Sequence, residues 1–510
     1  MGQTWGPERL GGQGLDRHQW TSGDRAILAL LTGEVADRVD LVCTWREGPD
    51  GEAGAYEVWS RRGMVRFGRE IDDEGELRYP TLEVVGVDPL ADDRVDALAT
   101  LDAEKAAARA AGHDADGDGN RRFVPPEHQS YPFGRERIAQ LFDSPHAPDL
   151  VVSPVDWAQG GNVGNHGALH VRQARAPLWF VGPGVRVGRH DLAVRSVDIA
   201  PTCLAALGFP LVDGRDATGR TSTERGVAPD VYLRRQDGRV VTEILDPVGP
   251  APRRLLVICL DGLHHTELEA RLATEPDSLP ALRRLHRRAA VIAHGQMVTF
   301  PSITWPSHTT IGTGVWCGHH DVVNPTYHLR ERGETVSPQG QQLGTEGYAS
   351  DEVESLAEAF HRVRGPDCLT AAVNAPFGRS ARHATFEGRN LCDRERLRAL
   401  NPVYAADASP RWRAEGDDEL VLYSTLDTRA VAQIDELFSR PSPPEFTYLE
   451  LIVTDGAGHH HGPHAPGLGE ALDEADRRVG RVLEILERVG VLDETLVVVT
   501  ADHGMAPQDP

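Results

Sequence analysis

Three stretches of the chain share one pattern, an apolar run closed at its carboxyl end by an acidic residue. RLLVICLDG (254–262) delivers Asp261, EFTYLELIVTD (445–455) delivers Asp455, and ETLVVVTADHG (494–504) delivers Asp502 and then His503. Runs apolar at nearly every position fit strands buried on both faces, as in a parallel sheet covered by helices. DLVVSP (149–154) and APLWFVGPG (176–184) read as further strands. Between the strands the spacing changes to helical in SVDIAPTCLAALG (196–208), SLPALRRLHRRA (278–289), VESLAEAFHRV (353–363) and ALDEADRRVGRVLEILERVG (471–490). The alternation predicts an α/β fold, a largely parallel central sheet with helices on both faces.

The front of the chain is patterned differently. Residues 1–35 read as a loop-rich segment, with a short amphipathic helix beginning near Asp24 and a strand following it. EVWSRRGMVRFGRE (57–70) reads as a hairpin pivoting on Arg62–Gly63, and residues 97–112 as a surface helix. Residues 214–253 are polar and rich in Gly and Pro, a connector with one expected hairpin around Arg235–Arg239. This divides the chain into 1–35, 36–213, the connector 214–253, and 254–510 with a variable loop region at 325–418.

Composition narrows the partners. With 53 basic and 77 acidic residues the net charge is −24, which argues against duplex nucleic acid as a partner. A small anionic substrate stays open, because bound divalent ions reverse a local field. The six cysteines are scattered with no CxxC pair, and read as reduced thiols. The first residues lack a signal-peptide pattern and no apolar run reaches membrane-span length, so a soluble, cytoplasmic protein is the expectation. HDADGDGN (113–120) opens like a calcium loop, but Pro125 stands where the twelfth-position Glu belongs, so it reads as a solvated acidic turn. Oligomeric state is left open.

The candidate chemistry centres on FPSITWPSHTTIGTGVWCGHHDVVN (300–324). Pro301 and Pro306 flank Thr304, a helix is expected after Pro306 with Ser307 as its cap, and a hydroxyl near such a terminus suits attack on an anion. Asp455 and His459 lie four residues apart across a glycine-rich turn, a carboxylate and an imidazole suited to Zn²⁺ and also to Mn²⁺ or Fe²⁺. His460, His461 and His464 crowd the same loop and read as supporting or solvent-facing groups.

Together LDG, TFPSITWPSHTTIGTG, TDGAGHHHGP and TADHGM resemble the alkaline phosphatase superfamily, in its nucleotide pyrophosphatase / type I phosphodiesterase branch. The resemblance implies two zinc ions beyond the sheet, with Thr304 as a nucleophile that forms a phosphothreonine. Carried over, Asp261, Thr304, Asp502 and His503 would hold one metal, and Asp455 and His459 the other. The family's remaining histidine comes from an HG motif after the DHG strand. Here the matching motif is GNHGALH (164–170), ahead of the LDG strand, so His166 takes that place and the order looks circularly permuted. The resemblance covers roughly residues 145–215 and 254–510. Ser307 stands where the family often has Asn, and Asn324, the counterpart of an Asn on the phosphoryl oxygen, is shifted by one position. The implied activity is hydrolysis of a phosphate diester or nucleotide. A monoesterase, a phosphonate hydrolase and a non-catalytic binder of phosphorylated ligands are the alternatives.

Overall fold

The computed structural model describes residues 22–48, 54–114, 119–224, 230–338, 346–386 and 405–509. The front of the chain builds an antiparallel sheet from β1 (Val39–Arg46), β2 (Ala55–Trp59), β3 (Gly63–Phe67), β4 (Thr81–Gly86) and β5 (Val151–Pro154), in the order β4-β3-β2-β1-β5. The hairpin expected at Arg62–Gly63 is the β2–β3 turn. The helix expected to begin near Asp24 spans Ser22–Thr32. One expectation is corrected. DLVVSP becomes β5 and closes this small sheet instead of joining the large one.

The large sheet has eight strands: β6 (Leu178–Val181), β7 (Gly188–His190), β8 (Arg254–Leu260), β9 (Ala289–Ile292), β10 (Thr370–Val373), β11 (His383–Ala384), β12 (Phe446–Leu451) and β13 (Thr495–Thr500). Their order is β7-β9-β6-β13-β8-β12-β10-β11. Only β6 runs antiparallel to its neighbours, β9 and β13. The continuous apolar runs follow from burial on both faces. Along β8, Leu256, Ile258 and Leu260 enter one core with the helices Asp418–Phe438 and Pro466–Arg488. Leu255, Val257 and Cys259 enter the other, with Ile199–Ala206 and Leu356–Arg364. A strand alternates its side chains with period two, so a strand packed on both faces needs an apolar residue at every position. The result is a mixed α/β fold around a large central sheet. No helix among the described residues is long and apolar enough to cross a membrane.

The connector contains no hairpin at Arg235–Arg239. The chain there is irregular, with Leu233, Val240 and Val241 buried. It is pinned by Asp237, whose Oδ2 accepts from Trp316 N at 2.8 Å and lies 2.5 Å from His319 Nδ1. The other ring nitrogen, Nε2, is 2.9 Å from Asp143, which Arg69 also grips through both oxygens. His319 thus joins the connector, the front segment and the segment after Thr304. Burial opposes its charged form, but the Asp237 carboxylate and the hydrogen bonds to Asp143 and Asp237 prevail, lifting its pKa from 6.5 to about 9. A raised folded-state pKa stabilises fully below the unfolded value and loses that contribution as pH rises through the folded one. Chemical denaturation should therefore show stability falling between pH 6.5 and about 9. At ~1.4 kcal/mol per unit the ceiling is about 3 kcal/mol. His319→Gln should flatten that slope, and an unchanged slope would refute the assignment.

Candidate active site

Strands β13, β8 and β12 are adjacent and parallel, so their carboxyl ends open on one edge of the sheet. That edge is where open α/β sheets bind ligands. Asp261 follows β8, and Asp502 and His503 follow β13. After β12 the expected glycine-rich turn is instead a helix, Val453–His461, so Asp455 and His459 meet as an i, i+4 pair on one helical face. Glycine disfavours helix, but tertiary packing overrides it here. A Cβ on Gly458 would sit 2.4 Å from Met505 Sδ, and one on Gly456 2.7 Å from the Tyr423 ring. Gly262, at φ +63°, serves the same economy of space: its Cβ would fall 2.8 Å from Asp455 Oδ1.

The Thr304 segment also differs from its expectation. The helix spans Thr304–Thr313, starting at Thr304 itself, with Ile303 as the cap residue. Pro306 sits inside the first turn, where a missing N–H costs no intrahelical bond. Ser307 is buried within the helix, its N–H bonded to Ile303 O, and does not cap it. Thr304 Oγ1 lies 3.3 Å from His503 Nε2.

The structure brings seven of the eight sequence candidates together. His503 Nε2 is 3.4 Å from Asp261 Oδ1 and 3.2 Å from Asp502 Oδ2. His459 Nε2 is 3.3 Å from Asp455 Oδ1 and 3.2 Å from His166 Nε2, and His166 Nε2 is 3.8 Å from Asp455 Oδ1. The His166 ring stacks on His503 at 3.5 Å. All three imidazoles have Nδ1 within hydrogen-bond reach of a backbone carbonyl: Ser302 for His166, Gly164 for His459 and Gly504 for His503. Donation from Nδ1 leaves the Nε2 lone pairs facing one another across the site.

These residues fit divalent cations. Ligands bonded tetrahedrally at about 2.0–2.1 Å stand roughly 3.3–3.4 Å apart, close to most of these separations. Asp261 Oδ1, Asp455 Oδ1 and Asp502 Oδ2 are buried without a hydrogen-bond partner. Burial, then the charges of Asp502, Asp455 and Glu450, push the Asp261 carboxyl well above its ordinary range. Burial, then His503 and His459, hold His166 well below 6.5. Such crowded negative charge and neutral nitrogen is what a bound cation would neutralise.

The Asn324 amide donates to Thr326 O at 3.1 Å, and among the described residues no hydrogen bond ties it to the other seven. Sequence reasoning missed His308, buried 2.9 Å from Glu450 Oε1 and 3.6 Å from Asp502 Oδ2, with Nδ1 2.9 Å from Tyr448 OH. Glu450 was the available signal, a charge inside an otherwise apolar buried strand. Residues 115–118 of the acidic turn at 113–120 lie outside the described residues.

Comparison with known proteins decides the family. The family model for type I phosphodiesterase / nucleotide pyrophosphatase matches residues 255–509. The chain belongs to that family. Among curated relatives, human ectonucleotide pyrophosphatase/phosphodiesterase family member 5 is 22% identical over 214 residues, which cover 42% of this chain and 38% of that protein. Human family member 7 is 24% identical over 222 residues, 44% of this chain and 43% of that protein. The chain thus spans about two fifths of the length of these relatives. The solved structure of murine ectonucleotide pyrophosphatase / phosphodiesterase 5 is 18% identical, covering 50% of this chain and 57% of that one at a TM-score of 0.35. The family match stops short of the front half, which includes His166.

Proposed function

We propose that this phosphodiesterase-family chain hydrolyses phosphate diesters or nucleotides by nucleophilic attack from Thr304 at a site for two divalent metal ions, most simply Zn²⁺. The observation that carries the reading is the approach of Thr304 Oγ1 to His503 Nε2 between two sets of carboxylate and imidazole groups. Asp261, Asp502, His503 and Thr304 would hold one ion, and Asp455, His459 and His166 the other. Bound there, the ions would supply Lewis-acid neutralisation of phosphoryl charge and make a hydroxyl nucleophilic at neutral pH.

The chain's own residues do the positioning. The first-turn N–H groups of Thr304 and Trp305 lie at a helix N-terminus, a setting that favours a phosphoryl anion beside Oγ1. Oγ1 bonds to phosphorus as the bond to the leaving alcohol or phosphate breaks in line. Water then cleaves the phosphothreonine and restores the free hydroxyl. Gly262 N–H donates to Asp502 Oδ1 at 3.1 Å and orients that carboxylate, while His308, 2.9 Å from Glu450 Oε1, lies 3.6 Å from its Oδ2. Asn324 has no assigned part in this scheme.

The circular order belongs to the same proposal. Residues 36–213 would be the part that follows the DHG strand in family members, and 214–253 the link to the part that begins at 254. Supporting this, β6 lies in the large sheet against β13, and residues 164–165 pair with 506–507.

The test is turnover of bis-p-nitrophenyl phosphate beside p-nitrophenyl phosphate. Chelation should abolish diester hydrolysis and Zn²⁺ should restore it. Full activity in protein shown metal-free by elemental analysis would overturn the proposal.

A further inference from the structure

The helix Val453–His461 carries two more histidines past His459, and neither enters the Thr304 site. His460 Nε2 and His461 Nε2 each lie 3.5 Å from one carboxylate oxygen, Asp417 Oδ2. These separations exceed a hydrogen bond, whose N···O distance ends near ~3.2 Å. They come within a few tenths of an ångström of the roughly 3.3–3.4 Å edge expected for ligands around one tetrahedral ion. We propose that Asp417, His460 and His461 form a further divalent-cation site, separate from the Thr304 site and suited to Zn²⁺.

Two of the three side chains are held in place independently of any ion. The Asp417 side chain accepts from Leu420 N at 3.1 Å as the cap of helix Asp418–Phe438, which fixes its orientation. The His461 ring lies over Gly467, where a Cβ would come within 2.3 Å of it. His460 and His461 meet edge to face at 4.8 Å. Asp417 supplies a hard oxygen and the histidines two borderline nitrogens, the donor mix of a zinc site with positions left for water. The local field agrees, because both histidines sit in the last turn of their helix, where unpaired carbonyls favour a cation. An ion here would tie the start of helix Asp418–Phe438 to the end of the helix bearing Asp455 and His459. The buried group Glu104, His264 and His464 is a poorer candidate, since Arg172 Nη2 lies 2.7 Å from His464 Nε2.

The experiment is zinc stoichiometry in the full, untagged chain, stripped with chelator and dialysed against buffered micromolar Zn²⁺. His460→Ala with His461→Ala should hold one equivalent fewer than wild type. Asp417→Asn, which keeps the cap, should lose the same equivalent. The equivalent should also persist in Asp455→Ala with His503→Ala, so failure of the Thr304 site and failure of this one are separable. Equal zinc in wild type and the histidine variant would overturn the inference, as would uptake at Asp417 only with millimolar Zn²⁺.

Discussion

Replacing Thr304 with alanine is expected to lower diester turnover by at least about a thousandfold while the fold and most metal binding persist. The alanine keeps the first helical position and removes one oxygen and one methyl from a nearly closed site. Thr304→Ser should keep measurable turnover, because the attacking atom survives and only its rotamer restraint is relaxed. The neighbouring hydroxyls serve as controls. Ser302 Oγ donates to Ala168 O, and Ser307 is buried inside the helix, so neither is presented as Thr304 is. Wild-type rates in Thr304→Ala together with loss in Ser302→Ala or Ser307→Ala would show that the nucleophile is elsewhere.

His166→Ala is the second large effect. His166 is the one member of the proposed ligand set contributed by the front half of the chain. Its Nε2 stands 3.2 Å from His459 Nε2 and its ring covers His503. Losing an outer partner of a ligand typically costs 10–100-fold, so losing the ligand itself should cost at least about a hundredfold in turnover or metal affinity. Elemental analysis should show one metal lost relative to wild type. An unaffected variant would remove the front half from the site, and with it the proposed circular order.

The sheet was legible because strands buried on both faces leave a distinctive apolar run, and the acidic residue closing each run marked the functional edge. What failed was local. Val453–His461 contains two glycines and looked like a turn, because nothing in its own residues announces Met505 and Tyr423 filling the space above them. The helix at Thr304 starts earlier than two prolines suggested, since a proline in the first turn removes no helical bond. DLVVSP has a strand's composition, but composition does not say which sheet a strand joins. His308 stayed hidden because its partners, Glu450 and Asp502, come from strands distant in sequence. Asn324 rests on the motif alone, and its side chain donates to Thr326 O.

Anomalous diffraction at the zinc edge from the metal-loaded chain tests the central claim most directly. Two peaks roughly 3.5–4 Å apart should flank Thr304, as in two-metal phosphoryl-transfer sites. One should lie against Asp261, Asp502 and His503, and the other against Asp455, His459 and His166 of the same chain. No peak at this edge of the sheet, or a single peak that leaves Asp455, His459 and His166 without an ion, would contradict it.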